Sequence, residues 1–394
     1  MQETNNLTPP TSKKKLLIWL HAGFLLIGII TVLMGQILPI LSKRLSLDDN
    51  QAGYFFIAQF SGSLTGVFLY NQGIRRLGHP KTLLIGFCLM AAGCLGLNAG
   101  SFFLCLPMVF LYGIGIGSSI PTVNLLVVEL NPARSSPALN LINFFWGVGA
   151  IICKPYVDFV GTPDSFLIPT ALLAFLLLAA GFLIGSSKAP VHPDTPAESD
   201  VGETRPIWRT PTAWLIAVFN FIHIGIESSV GGWITTFEER LTDSSPWQWL
   251  SAALVFFFFL VLGRGVAPVF LRLLNENSLL ILNLLLMTGG ALLVFKAGDF
   301  RFLLLGVSVL GFGSSSVFPT NMSRFTKIFG PESSRRATPI FIAGSVGGAF
   351  MTWLVGFLSA TFEDLRIGFL SVLTGCLSLI VLQLIIARNK SGNL

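Results

Sequence analysis

The chain has 394 residues, 53% of them hydrophobic and only 11% charged, with a mean hydropathy of +0.75 and a formal net charge of +6. A water-soluble domain carries about 25% charged residues, so water is not the main solvent here. The basic residues are scattered over short segments and form no stripe for a nucleic acid.

Lys13, Lys14 and Lys15 precede an apolar stretch over 16–39 that is too long for a signal-peptide core and lacks a small-residue cleavage site. It reads as a first span kept in the protein. Apolar runs follow over 51–70, 82–99, 102–130, 138–159 and 166–185, and, after a polar interval, over 211–237, 250–271, 278–295, 302–325, 339–360 and 366–386. Each is long enough to cross a hydrocarbon layer of about 30 Å as a helix. In lipid an unpaired backbone leaves helices as the economical reading.

The sequence thus predicts an all-α membrane protein of twelve transmembrane helices in two six-helix bundles. Its parts are a tail over 1–15, a first bundle over 16–185, a linker over 186–210, a second bundle over 211–386 and a tail over 387–394. The linker holds Pro190, Pro193, Pro196 and Pro206 among Asp194, Glu198, Asp200 and Glu203, a composition that cannot bury a core. Of the 25 Lys and Arg, seventeen fall in segments on the side of the N-terminus and six on the other side, with Lys154 and Arg264 inside spans. Basic segments stay in the cytoplasm, so both termini are expected there, in a multi-pass protein of the plasma membrane or bacterial inner membrane. The five cysteines lie in apolar runs without CxxC spacing and read as packing residues. No metal or cofactor is expected.

An internal repeat supports the two halves. Gly115-Ile116-Gly117-Ser118-Ser119 recurs as Gly311-Phe312-Gly313-Ser314-Ser315 at an offset of 196, and Ser135-Ser136 and Val148-Gly149 recur as Ser333-Ser334 and Val346-Gly347 at an offset of 198. Repeated bundles with a solute site between them are a common design of secondary transporters.

Ionisable groups within a span cost roughly 2.5 to 3.5 kcal/mol each and therefore face a cavity or a partner. Asn220, His223 and Glu227 share one face of the seventh span. Glu227 is the candidate ion-coupling group and, with its neighbours, a candidate for binding a solute hydroxyl; the plain alternative is a structural carboxylate. Asn140, Asn143, Gly147 and Lys154 share an arc of the fifth span, where the asparagines and Trp146 suit a sugar ring, or equally act as interhelical glue. Lys154 and Asp158 are spaced for a local i, i+4 pair. Arg264 lies toward the cytoplasmic third, where a pair with Glu227 is not expected, because it would need a reach of about 12 Å along the membrane normal. Gln59, Asn124 and Asn321 complete the candidates; Pro121 and Pro319 precede the last two and should kink their helices.

The segment from Gly115 to Pro155 resembles the major facilitator superfamily, and within it the fucose:proton symporters and sodium-dependent glucose carriers. The likeness lies in Asn124, in Leu130-Asn131-Pro132, in the run from Leu139 to Gly149, in Ile37-Leu38-Pro39 with Gln51-Ala52-Gly53, and in Gly225-Ile226-Glu227 with Gly231-Gly232-Trp233. It implies the major facilitator fold and a sugar or similar polyhydroxylated solute. Two departures stand out. The proton-coupling Asp and Glu for which fucose symporters are known are here Gly35 and Ile120, which rules out coupling through those positions. In the loop after the second span Gly66, Arg75, Arg76, Gly78 and Lys81 fit, but Asn71 replaces an expected Asp.

The expected function is secondary transport of a small solute by alternating access, in a monomer surrounded by membrane lipid. Nothing resembles a phosphate-binding loop or a catalytic cluster. The sequence leaves open H⁺ coupling, Na⁺ coupling or uniport. It also leaves open export of amphipathic compounds and a non-transporting receptor of the same fold.

Overall fold

Every predicted apolar run is helical in the computed structural model, which describes residues 10–131, 134–162, 165–187, 207–241, 250–330 and 337–391. Linker residues 188–206, Pro132 and the repeat pair Ser333-Ser334 lie outside the described residues. The first half comprises α1 (Pro10–Leu45), α2 (Asp49–Leu77), α3 (His79–Gly96), α4 (Phe102–Leu130), α5 (Ser135–Val160) and α6 (Leu167–Gly185). The second comprises α7 (Pro211–Leu241), α8 (Ala252–Leu273), α9 (Glu276–Lys296), α10 (Phe300–Ser314), α11 (Val317–Phe329), α12 (Thr338–Phe362) and α13 (Leu365–Ser391). Among the described residues twelve spans are long and apolar enough to cross a membrane, because α10 and α11 form one broken span over Phe300–Phe329.

That break has a cause in the repeat. Between Ser119 and Pro121 of α4 stands one residue; between Ser315 and Pro319 stand three. The two extra residues change the offset from 196 to 198, and α10 stops and α11 starts within this interval. Pro319 thereby falls in the first turn of α11, where a missing N–H costs little, whereas Pro121 stays inside α4. The expected kink of the tenth span is therefore a full interruption.

Within each half the helices pack at close range. Across the halves α2 packs on α12, α1 on α7 and α5 on α8. A Cβ on Gly348 would lie 2.7 Å from the Phe60 ring, and one on Gly147 would lie 2.7 Å from Val261. Small residues thus let the bundles approach at the α2–α12 and α5–α8 seams. Outward faces are apolar and exposed, as with Phe175 and Phe182 on α6 and Val381 and Leu384 on α13, which matches hydrocarbon as their solvent.

Candidate functional site

Where the halves meet, α1, α2, α4, α5, α7 and α8 enclose a cavity of about 240 Å³. Its polar groups come from Thr31, Gln59, Ser63, Glu227 and Ser228, and its broad surfaces from Phe56, Phe60, Trp146 and Phe257. A mostly apolar wall with a few directed polar groups is the usual make-up of a small-molecule site. Gly35 and Ile120 line the same space, so an apolar side chain and a glycine stand where the resembling symporters carry carboxylates.

Gln59 is held from both ends. Its Nε2 donates to the Thr31 carbonyl at 2.9 Å, and its Oε1 accepts from the Tyr112 hydroxyl at 2.9 Å. Thr31 donates its own hydroxyl to the Ile27 carbonyl, one turn back, at 2.6 Å. These bonds fix the polar edge of α1 and α2 and leave one amide hydrogen of Gln59 for a guest.

Opposite this edge stands Glu227. Its Oε1 lies 3.5 Å from the Arg264 guanidinium, while its buried Oε2 has no hydrogen-bond partner among the described residues. The pair corrects the sequence reading, which set the two groups too far apart. The reason is the length of α7, which runs to Leu241, a turn beyond the predicted span end. Glu227 stands fourteen residues before that end and Arg264 twelve after the start of α8 at Ala252. At 1.5 Å per residue their depths, about 21 and about 18 Å, agree within the reach of an arginine. Arg264 also donates from Nε to the Ser315 carbonyl at 3.2 Å, one of the groups set free by the interruption between α10 and α11. A broken helix inside a membrane needs such partners. Asn283 donates to the Ser316 side-chain hydroxyl at the same break.

Of the other sequence candidates, Trp146 lines the cavity, and Asn124, Asn140, Asn143, Asn220, His223 and Asn321 do not. Asn220 donates to the Ile340 carbonyl at 2.8 Å and Asn321 to the Ile216 carbonyl at 3.2 Å, both buried within the second half. Asn143 donates to the Leu139 carbonyl of its own helix at 2.8 Å, and both Asn140 and Asn143 are exposed. His223 is fully buried beside the backbone of Ser314. The Asn124 Oδ1 is buried and has no hydrogen-bond partner among the described residues. Lys154 and Asp158 form the local i, i+4 ion pair.

Sequence reasoning missed the closure at the end of the molecule away from the termini. There Arg240 donates to both Asp49 oxygens at 2.7 and 2.6 Å, and Ser359 donates to the same carboxylate. Thr235 donates to Gln36 at 2.9 Å and Trp353 to Asn50 at 3.0 Å. Beneath them Gly35 meets Gly231 so closely that a Cβ on Gly35 would lie 2.2 Å from the Gly231 carbonyl oxygen. A signal for part of this existed: the offset of 196 relates Gly35 to Gly231 and Thr31 to Glu227.

Residues 19–341 match the Major Facilitator Superfamily. The chain is 22% identical over 349 residues to a protein named glucose/mannose transporter GlcP from Bacillus subtilis (strain 168), covering 84% of this chain and 85% of that one. It superposes with a TM-score of 0.76, at 13% identity, on a bacterial homolog of the human lysosomal transporter Spinster described as inward-facing and occupied, covering 97% and 98% of the two chains. The TM-score is 0.63, at 17% identity, with the major facilitator transporter FucP in the outward conformation, covering 95% and 99%.

Proposed function

We propose, since the chain belongs to the Major Facilitator Superfamily, that it moves a single sugar ring across the membrane by alternating access and performs no covalent chemistry. The observation that carries this reading is the lining of the central cavity. Hydroxyl-binding groups, the Glu227 carboxylate, the spare Gln59 amide hydrogen and the Ser63 and Ser228 hydroxyls, stand among the flat apolar surfaces of Trp146, Phe56 and Phe257. A pyranose offers the complement, hydroxyls at its rim and C–H groups on its faces. The space of about 240 Å³ is of a size for one ring. The relative named for glucose and mannose supports the same class.

The polar bridges at the far end make the described state one that is shut on that side. With both termini in the cytoplasm, as the basic residues favour, this is the inward-facing state of a plasma-membrane protein. Its bundles span 16–185 and 211–386 around a cytoplasmic linker over 186–210. Since each bundle contributes to the cavity, one chain suffices and the working unit is a monomer.

The test is counterflow of labelled glucose, galactose and mannose in liposomes, beside a thermal-shift screen that includes a disaccharide. Exchange of at least one monosaccharide and none of the disaccharide is expected. No sugar exchange, together with lowered ethidium accumulation in expressing cells, would replace the reading with export of amphipathic compounds. Binding without exchange in sealed vesicles would replace it with a receptor.

A further inference from the structure

The bridges and close approaches between the halves lie at the far end and in the middle of the membrane, which leaves the facing surfaces nearer the termini unmated. From the register of the helices along those surfaces we infer which residues seal the near side in the opposite state: Asn143 of α5 enters the space at Gly265 of α8, and Phe68 of α2 closes on Phe341 of α12. The inference rests on the alternating-access reading above and does not depend on which solute is carried.

On both seams the paired helices run antiparallel, so contacts advance in opposite directions along the two segments. Between α2 and α12, a Cβ on Gly356 would lie 2.3 Å from the Asp49 carbonyl oxygen, one on Gly53 3.1 Å from Trp353, and one on Gly348 2.7 Å from the Phe60 ring. The series steps from the far end to the middle. Residues seven or eight positions further on share the same helix face, two turns along. Phe68 lies eight beyond Phe60 and Phe341 seven before Gly348, so these two are next in line on the facing surfaces. Phe68 is 56% exposed and Phe341, which leans on Phe318 of α11, is 49% exposed.

Between α5 and α8 the last close approach is that of Gly147 to Val261. One turn nearer the termini, Asn143 and Gly265 each stand four residues from those positions. Asn143 is exposed, and nothing lies within 4 Å of where a Cβ on Gly265 would be.

The internal repeat leads to the same residues independently. Asn143 and Phe341 are counterparts at the offset of 198, and the counterpart of Gly265 at the offset of 196 is Leu69, the neighbour of Phe68. The two inner pairs are therefore one contact present twice, once in each seam.

Their chemistry suits closure. Two phenylalanine rings meet without needing a hydrogen bond. An asparagine amide is costly against acyl chains, and Asn143 has used one donor, toward the Leu139 carbonyl. As the gap shuts, the missing side chain at Gly265 admits the amide, and Arg264 beside it, with a side chain 36% exposed, carries N–H donors for the Asn143 Oδ1. Asn143, which does not line the cavity, thereby gains a role at its near-side mouth.

The experiment uses the whole chain in proteoliposomes with two double variants, Asn143→Cys with Gly265→Cys and Phe68→Cys with Phe341→Cys. Diamide oxidises thiols that meet to a disulfide, which requires Cα atoms within about 7 Å, and mass spectrometry of the peptides identifies the pair. Both pairs are expected to link. Labelled monosaccharide counterflow should stop while they are linked and return with dithiothreitol. Asp49→Asn, which loosens the far-side bridges, should speed linking about fivefold or more. Leu141→Cys with Gly265→Cys, where the α5 thiol sits on another face, should not link.

No link in either pair, with counterflow still measurable in the reduced variants, overturns the assignment and leaves the sugar reading intact. Linking at a rate that Asp49→Asn does not change overturns it too, because the pairs would then meet by local motion and not by the change of state. Absence of counterflow for every sugar in the parent removes the sugar reading alone, since the linking rates still decide the gate. Gly265→Leu is the second probe: it fills the space that Asn143 must enter, so counterflow should fall about tenfold or more in a protein whose present packing it does not disturb. Exchange at the parent rate would take Gly265 out of the gate.

Discussion

The latch at the far end sets how the two states are balanced, and Asp49→Asn tests it. The substitution keeps the shape of the side chain and its bond from Ser359 but removes the charge that meets Arg240. Two short hydrogen bonds are affected, at 2.7 and 2.6 Å. A hydrogen bond to a charged group contributes about 1.5 to 3 kcal/mol, an exposed ion pair about 0 to 1. Asp49 is 10% exposed but Arg240 is 48% exposed, so solvent screening places the loss between these limits, at about 1 to 2 kcal/mol. At about 1.4 kcal/mol per decade this moves the equilibrium about 5- to 30-fold toward the state open on the far side. The readout is a cysteine placed at Ser63, which lines the cavity. A membrane-impermeant maleimide added on the side away from the termini labels it only when that side opens. Labelling should accelerate by the stated factor in Asp49→Asn, and Arg240→Gln combined with it should add almost nothing, because one interaction is lost once. Unchanged labelling, or full additivity of the two substitutions, would refute the assignment of this pair as a latch.

Two further outcomes follow from the same geometry. Gly35→Ala places a Cβ against the Gly231 carbonyl, so the far side cannot shut fully; the same cysteine should label faster and counterflow should fall about tenfold or more, while helix propensity, which favours Ala over Gly by about 1 kcal/mol, keeps the protein folded. Exchange at the parent rate would disprove the close approach. Tyr112→Phe removes the bond that fixes Gln59, about 0.5 to 1.5 kcal/mol, and should weaken sugar binding about 2- to 13-fold in a thermal-shift titration; an unchanged Kd would take Gln59 out of the site.

The spans were legible because lipid demands length and apolarity, and little else satisfies that demand. Their ends were not. Hydropathy stops the seventh span before Glu238, Glu239 and Arg240, yet α7 continues to Leu241. Glu238 is buried and accepts from the backbone N–H of Ala252 at 2.8 Å, so a charge that reads as loop serves as a cap at the start of the next helix. That misplaced end hid the Glu227–Arg264 pair. Helical periodicity placed Asn220 on an inner face, but it cannot tell a cavity from a neighbouring helix, and the amide meets the Ile340 carbonyl of α12. On α5 the arc was right where Gly147 meets Val261 across the seam; Asn143 and Asn140, about one and two turns nearer the start of that helix, are exposed. The latch escaped notice because Asp49 and Arg240, 191 residues apart, sit at helix ends where charges are ordinary.

The two halves are repeats, yet the pair that compensates charge in the cavity exists in one of them only. Its origin lies in the two residues by which the second repeat exceeds the first between its last repeated serine and its proline. In α4 the chain carries Pro121 within a continuous helix. In the second half the helix opens, and a carbonyl at Ser315 needs a donor in a place without water. Position 264 supplies one with Nε, and the rest of the guanidinium extends to Glu227. The counterparts of these two residues at the repeat offset of 196, Thr31 and Phe68, are uncharged. A carboxylate on α7 therefore depends on an arginine that the interruption of α10 and α11 holds in place, and a change that restored a continuous tenth span would free Arg264 from Ser315 and loosen the one charged edge of the cavity.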